Sequence, residues 1–284
     1  MGLLSEESWP AVPQLRTSHG KARHIMERQP ANDHGLPAPS TLIHGGIKHD
    51  VYRLGEGAPI ILMHEITGMT PALIQLGHRI ASCHFTVYLP HFFGPLGKSD
   101  EAAGILFCLR REFNCFSKNK PSPIADWLRE LCRRASSECG GSYVGVIGLC
   151  LTGNVVLSMM TETVVRVPVM CEPALPFLHK ESLGVPERDL DVAARRLDAL
   201  PLLAYRFDTD VICPAEKFHA LHNRFGENAR LTTIPTGEQP FCIPDRSHSV
   251  LTGTYVGEDD PNHPVHHVLD EILMAMRTRL VRKA

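Results

Sequence analysis

A mostly parallel sheet with helices on both faces is the architecture this sequence predicts, and two observations carry it. From about residue 48, short apolar runs that read as strands alternate with segments of helical apolar spacing, the pattern of βαβ units. The residue types that do chemistry, Cys, His, Asp and Glu, fall just after those strands, where open α/β sheets hold their ligands.

The segments follow in order. Val51-Tyr52-Arg53-Leu54 with Gly55-Glu56-Gly57 reads as a strand and turn, and Ile60–Met63 as a strand buried on both faces. Ala72, Leu73, Leu76 and Ile80 have helical spacing, Phe85–Leu89 is the next strand, and Pro90–Pro95 a loop. A helical excursion covers 100–116, and Pro121 and Pro123 precede a helix carrying Ile124, Leu128, Leu131 and Cys132. Tyr143–Ile147, Val167–Cys171, Leu202–Phe207 and Arg230–Ile234 are the remaining strands, with helices expected at 153–163, 189–199, 214–225 and 264–282. Residues 1–45, rich in Pro, His, Ser and charge without a sustained period, read as an irregular N-terminal extension to one domain over 46–284.

The 284 residues are 43% apolar and 21% charged, enough for one sizeable core. Net charge is -2 with both signs interspersed, and the doublets Arg110-Arg111, Arg133-Arg134 and Arg195-Arg196 read as solvated helix faces, so no nucleic-acid partner is expected. No run approaches the roughly 20 apolar residues of a membrane span, and residues 1–13 lack the basic-then-apolar order of a secretory signal. A cytoplasmic location without a membrane partner is the expectation. The nine cysteines include no Cys-x-x-Cys pair. Cys108 and Cys115, like Cys132 and Cys139, are spaced to share a helix face as small apolar residues.

Gly148-Leu149-Cys150-Leu151-Thr152-Gly153 follows the strand Tyr143–Ile147 and opens an apolar helix. This resembles the nucleophile elbow, a strained strand-to-helix turn that lifts its central side chain above the sheet. Glycines suit it because a Cβ at either flank would clash, and a helix N-terminus under the sulfur favours thiolate. Thr152 stands where the pattern has a small residue. A thiol nucleophile needs a base, and the base an orienting acid, in the chain order nucleophile, acid, histidine. Asp208-Thr209-Asp210 follows Leu202–Phe207, and His248 follows the last strand after a long loop.

Cys at the elbow, His64-Glu65-Ile66-Thr67-Gly68 after the second strand, the Asp-x-x-x-Pro segment Asp210–Pro214 and His248-Ser249-Val250 together resemble the dienelactone hydrolase family, over about residues 48–282. The resemblance implies an α/β-hydrolase fold and an enzyme that opens a lactone or small ester through a thioester. It implies Cys150 as nucleophile, His248 as base, Asp210 as its orienting acid with Asp208 as competitor, and Glu65 as the carboxylate beside the thiol. Glu65 could instead cap the helix that starts near Thr70. The amides of Ile66 and Leu151 would hold the oxyanion.

The family binds a substrate carboxylate through arginines, one of them shortly after the catalytic histidine. Here His248-Ser249-Val250-Leu251-Thr252 contains none, which points to a less charged ester. Arg246, Arg110 and Arg111 are the candidates in its place, each with a competing surface role. His91, Phe92 and Phe93 could line the pocket or simply pack their loop. His263, His266 and His267 read as a solvated helix cap beside Asp259 and Asp260, and neither a metal nor a cofactor is expected. Competing with the enzyme are a binding or regulatory protein on the same fold, motivated by Thr152 and the missing arginine, and a redox sensor that would need Cys171 or Cys213 as its resolving thiol.

Overall fold

The computed structural model of the protein describes residues 34–108, 122–197, 201–237, 243–253 and 263–280. One eight-stranded sheet organises them: β1 (Ser40–His44), β2 (Ile47–Leu54), β3 (Ala58–Met63), β4 (Phe85–His91), β5 (Val144–Leu149), β6 (Val165–Cys171), β7 (Leu202–Phe207) and β8 (Ala229–Ile234). Their spatial order is β1-β2-β4-β3-β5-β6-β7-β8. β1 and β2 pair antiparallel, as do β2 and β4, and every pairing from β4 through to β8 is parallel.

The helices are α1 (Pro71–Ser82), α2 (Glu101–Cys108), α3 (Pro123–Glu138), α4 (Val155–Met159), α5 (Glu187–Leu197), α6 (Ala215–Phe225) and α7 (Pro264–Arg279). Strand alternation divides the apolar residues into two layers. Ile61, Met63, Val144 and Val146 face a cluster built with α3, α4, α5 and α6, including Trp127, Leu128, Val156, Leu190 and Phe218. Ile60, Leu62, Ile147 and Leu149 face the other cluster, built with α1 and α7, including Leu73, Ile80, Leu269 and Ile272. All six residues of β5 and of β7 are buried, which is why β5 reads as an uncharged run and β7 as an apolar run broken only by Arg206.

Two expectations need correction. The N-terminal extension is not irregular up to residue 45: Ser40–His44 is a strand paired from Ser40↔Val51 to His44↔Ile47, and Leu36 is fully buried against α1 and its cluster. Leu42 alone of the β1 side chains is buried, so the strand left almost no apolar pattern to read. Residues 1–33 of that extension lie outside the described residues. The helix expected over 153–163 is a 3-10 turn, Cys150–Thr152, followed by a five-residue α4. It stops early because the Arg196 guanidinium takes up carbonyls just beyond it, those of Met160, Glu162, Thr163 and Val165, where the chain turns into β6. The excursion read at 100–116 is helical at Glu101–Cys108, and its remainder falls outside the described residues.

The short helix after the elbow is pinned from below. Asp189 of α5 is 3% exposed and accepts from Arg129 Nη2 of α3 at 2.7 Å and from Ser158 Oγ of α4 at 2.8 Å. Arg129 Nε also donates to the Ser158 carbonyl at 3.0 Å. Removing the arginine strands a buried carboxylate, so Arg129→Met is expected to cost about 3 kcal/mol. Arg133→Met, whose ion pairs are half-exposed, is expected to cost less than about 1 kcal/mol. Chemical denaturation of both variants checks the contrast.

Candidate active site

Cys150 stands immediately after β5 with φ 49°, a left-handed value that residues with a Cβ rarely hold. Its neighbours leave room for nothing else. A Cβ on Gly148 would lie 2.5 Å from the Thr152 carbonyl oxygen, and one on Gly153 would lie 2.9 Å from Pro173 Cα. Both glycines are therefore required by close approach, as the elbow pattern implies. Thr152 fits because its fully buried hydroxyl is used: Oγ1 accepts the Leu149 amide at 2.9 Å and lies 3.0 Å from the Leu149 carbonyl, closing the turn on itself. The Cys150 carbonyl accepts the amides of Gly153 at 3.0 Å and Ala174 at 3.1 Å.

The Cys150 side chain is buried, with the amides of Ile66 and Leu151 facing its sulfur. Those two N–H groups favour the thiolate, yet burial first, then the charge of Glu65 and the nearby Glu172 carboxyl, outweigh them and push the thiol well above its ordinary range. The thiolate expected from a helix N-terminus is thus corrected: α4 is one turn long and begins only at Val155, too little to offset desolvation and two carboxyls.

His248 and Asp210 meet at the same edge of the sheet. His248 Nδ1 lies 2.7 Å from Asp210 Oδ2, while Asp210 Oδ1 accepts the amides of Ile212 at 2.8 Å and Cys213 at 2.9 Å. Those amides hold the carboxylate, so it accepts a hydrogen bond from Nδ1–H and leaves Nε2 as the basic nitrogen. Nε2 is buried with no hydrogen-bond partner among the described residues, and so makes no bond to the Cys150 sulfur here. Asp208 is engaged elsewhere: its Oδ1 accepts the Thr236 amide at 3.0 Å and hydroxyl at 2.7 Å.

Glu65 is buried and does not cap α1, whose N-cap is Thr70, accepting the Leu73 amide at 3.3 Å. Its carboxylate instead accepts the hydroxyls of Ser249, at 2.7 Å, and Thr252, binding the loop that carries His248. The preceding residue fixes its backbone. Fully buried His64 accepts the Phe92 amide at Nε2, 3.1 Å, and therefore donates from Nδ1 to the Glu65 carbonyl at 2.7 Å. Burial pushes its pKa down to about 3, so the ring is a neutral strut. On the other side, Gly104 of α2 packs so closely on Ile66 that a Cβ would lie 2.0 Å from the Ile66 carbonyl oxygen.

The remaining candidates are placed as follows. Phe92 is a core residue, edge-on to Trp127 and His49. Phe93 is half-buried with its ring 4.7 Å from that of His64, and His91 is half-buried at the end of β4 beside Tyr52. Arg246 is exposed, its amide donating to Thr209 Oγ1 at 2.9 Å. Arg110 and Arg111 lie outside the described residues, as do Asp259 and Asp260. The expected solvated cap at α7 is corrected for His263, which is fully buried and accepts the Val265 amide at 3.3 Å. His266 meets Arg79 at 3.0 Å. A surface cleft of about 630 Å³ between α5 and α6, lined by Glu181, Leu190, Glu216 and Arg224 among others, contains none of these site residues.

Sequence reasoning missed three contributors: Ser249 and Thr252, which hold Glu65, and Glu172, which follows β6. Glu172 is fully buried and its Oε2 accepts the Val250 amide at 3.1 Å. A carboxylate directly after an apolar strand, in Met170-Cys171-Glu172-Pro173, was the available signal.

No protein-family model and no curated protein matches the chain. Solved structures do match its fold. A dienelactone hydrolase from Anabaena variabilis aligns with a TM-score of 0.57 at 14% identity, over 87% of this chain and 98% of that one. A dienelactone hydrolase-like promiscuous phosphotriesterase from metagenomic libraries gives 0.57 at 13% identity, over 86% and 99%. A cold-adapted esterase from an Arctic intertidal metagenomic library gives 0.56 at 12%, over 86% and 93%. The chain has the α/β-hydrolase fold.

Proposed function

We propose that the protein is a cysteine-dependent hydrolase that opens a lactone or small ester through a thioester acyl-enzyme. The observation that carries this reading is the Cys150 elbow: a left-handed cysteine at a strand end, its sulfur facing two amides, with a His248–Asp210 pair at the same sheet edge. Dienelactone hydrolases and an esterase among its structural relatives support the substrate class.

In the proposed cycle the Cys150 thiolate attacks the acyl carbon and the bond to the leaving oxygen breaks. His248 takes the thiol proton and returns it to that oxygen, which departs as an alcohol or, in a lactone, stays tethered to the acyl group. Water then attacks the thioester with His248 as base, releasing the carboxylic acid and restoring the thiol. Ile66 and Leu151 donate to the oxyanion of both tetrahedral intermediates. At rest the sulfur occupies the space before those amides, so an entering carbonyl oxygen displaces it toward the free Nε2 of His248. Glu65 opposes ionisation until the sulfur has moved away from it, toward the imidazole that takes the proton.

The raised thiol and the missing sulfur–imidazole bond also suit a second reading, a binding or regulatory protein that does not turn over. Ester hydrolysis separates the two. With a short p-nitrophenyl ester, Cys150→Ala is expected to abolish turnover and His248→Ala to lower kcat by about 10²-fold or more. Asp210→Asn should fall with His248→Ala, and Asp208→Asn should stay within about threefold of wild type. Equal rates for wild type and Cys150→Ala would remove the thiol from the mechanism.

The thiol's ionisation gives an independent check. With its pKa raised above the ordinary 9.0, alkylation of Cys150 by iodoacetamide should be slow at neutral pH and still climbing at alkaline pH. Glu65→Gln removes the charge that most opposes the thiolate, so alkylation of Cys150 at neutral pH is expected to quicken by about tenfold while ester turnover drops. Mass spectrometry of the Cys150 peptide follows the first, and p-nitrophenol release the second.

A further inference from the structure

Glu172 is a buried acid that the proposed cycle leaves without a task. It follows β6 with φ 38°, a second left-handed residue with a side chain beside that of Cys150. Its amide donates to the Tyr205 carbonyl at 2.8 Å, which anchors it to β7. Its carboxyl is fully buried: Oε2 accepts the amide of Val250, two residues beyond His248, and Oε1 has no hydrogen-bond partner among the described residues. The Cys150 amide faces the same carboxyl, and the Cys150 carbonyl accepts from Ala174, two residues after Glu172. One side chain thus lies between the backbone of the nucleophile turn and the backbone of the histidine loop.

We infer that Glu172 is a positioning residue for the thiol–imidazole reaction: its carboxyl spans the amides of Val250 and Cys150 and so sets the distance between the elbow and the loop that carries His248. This rests on the reading of Cys150 and His248 as the reacting pair. Asp210 orients the imidazole ring, Glu65 holds the loop through hydroxyls on its far side, and Glu172 holds it to the nucleophile itself.

The carboxyl does this as the neutral acid. Glu65 from the loop after β3, Asp210 and Cys213 from the turn after β7, Cys150 from the elbow and Cys171 from β6 are the titratable groups around it. Three buried carboxyls this close do not all ionise. Glu65 receives two hydroxyls and Asp210 two amides and an imidazole, whereas Glu172 has one bonded oxygen and one bare. Burial first, then the charge of Glu65, raises its pKa well above the carboxylate range. Ionisation at alkaline pH would put a further negative charge beside the sulfur and hold back the thiolate.

Single-turnover acylation of Cys150 by a p-nitrophenyl ester, followed across pH with the full chain, tests this alongside a thermal melt. Glu172→Ala is expected to slow acylation by about tenfold or more with half-saturation unchanged, since a misplaced pair loses rate and not binding. Glu172→Gln keeps an acceptor for Val250 and cannot ionise; it should acylate within about threefold of wild type at neutral pH and exceed wild type at alkaline pH. A folded Glu172→Ala that acylates at the wild-type rate, with only its melting temperature lowered, would overturn the inference and leave the hydrolase reading intact. So would a folded Glu172→Gln that acylates about tenfold or more slowly than wild type at neutral pH, which keeps the test decisive if Glu172→Ala does not fold. No acylation of wild type at all would overturn the hydrolase reading, and this inference with it.

Discussion

The backbone at Cys150 is the constraint around which the site is arranged. A left-handed residue with a Cβ costs about 1–3 kcal/mol and persists only where its surroundings over-determine it. Here the surroundings come from four directions. β5 delivers the chain at a fixed height, Gly148 and Gly153 let neighbouring backbone close in, the Thr152 hydroxyl ties the turn to Leu149, and Ala174 bonds the Cys150 carbonyl. A turn so fixed can present a sulfur to two amides without a long helix behind it. The five-residue α4 is enough because packing through Ser158, Asp189 and Arg129 holds it in place of helical length.

Electrostatics then decides the resting state. Backbone N–H groups of Ile66 and Leu151 attract negative charge on the sulfur, and a buried cavity with carboxyls around it repels that charge. Repulsion wins, because desolvation acts on the whole ion whereas each amide contributes a single dipole. A thiol kept protonated is protected from oxidants and alkylators, and in the proposed cycle it becomes a nucleophile only when an acyl group brings it under the imidazole. The same acids also build the loop: Glu65 and Glu172 hold Ser249, Val250 and Thr252, the residues that fix where His248 sits.

Where a signal was local, the sequence showed it. β3, β5 and β7 are buried along nearly their whole length and so appear as mostly apolar runs, with Arg206 of β7 their one charged residue. The elbow was legible from its glycines, which record the geometry of a single turn, and Asp210 from the likeness of Asp210–Pro214 to the family pattern. β1 was hidden because one buried side chain in five makes no period. The end of α4 was hidden because it is imposed by Arg196, more than thirty residues on. Glu172 was hidden for a related reason. Its one local signal, a carboxylate straight after an apolar strand, names no partner, and its carboxyl becomes a structural element only once Val250 arrives from a distant part of the chain.

Trp127 sits at the centre of the layer beneath the sheet's antiparallel edge, fully buried, and its Nε1 donates to the carbonyl of Leu42 at 3.1 Å. The outermost strand is therefore latched to α3 by an indole as well as zipped to β2. A chain shortened past Leu42 would remove that acceptor and uncover the indole, a lost hydrogen bond of about 0.5–1.5 kcal/mol together with the apolar contact. The amino-terminal edge is in this sense a lining of the core and not a trailing end.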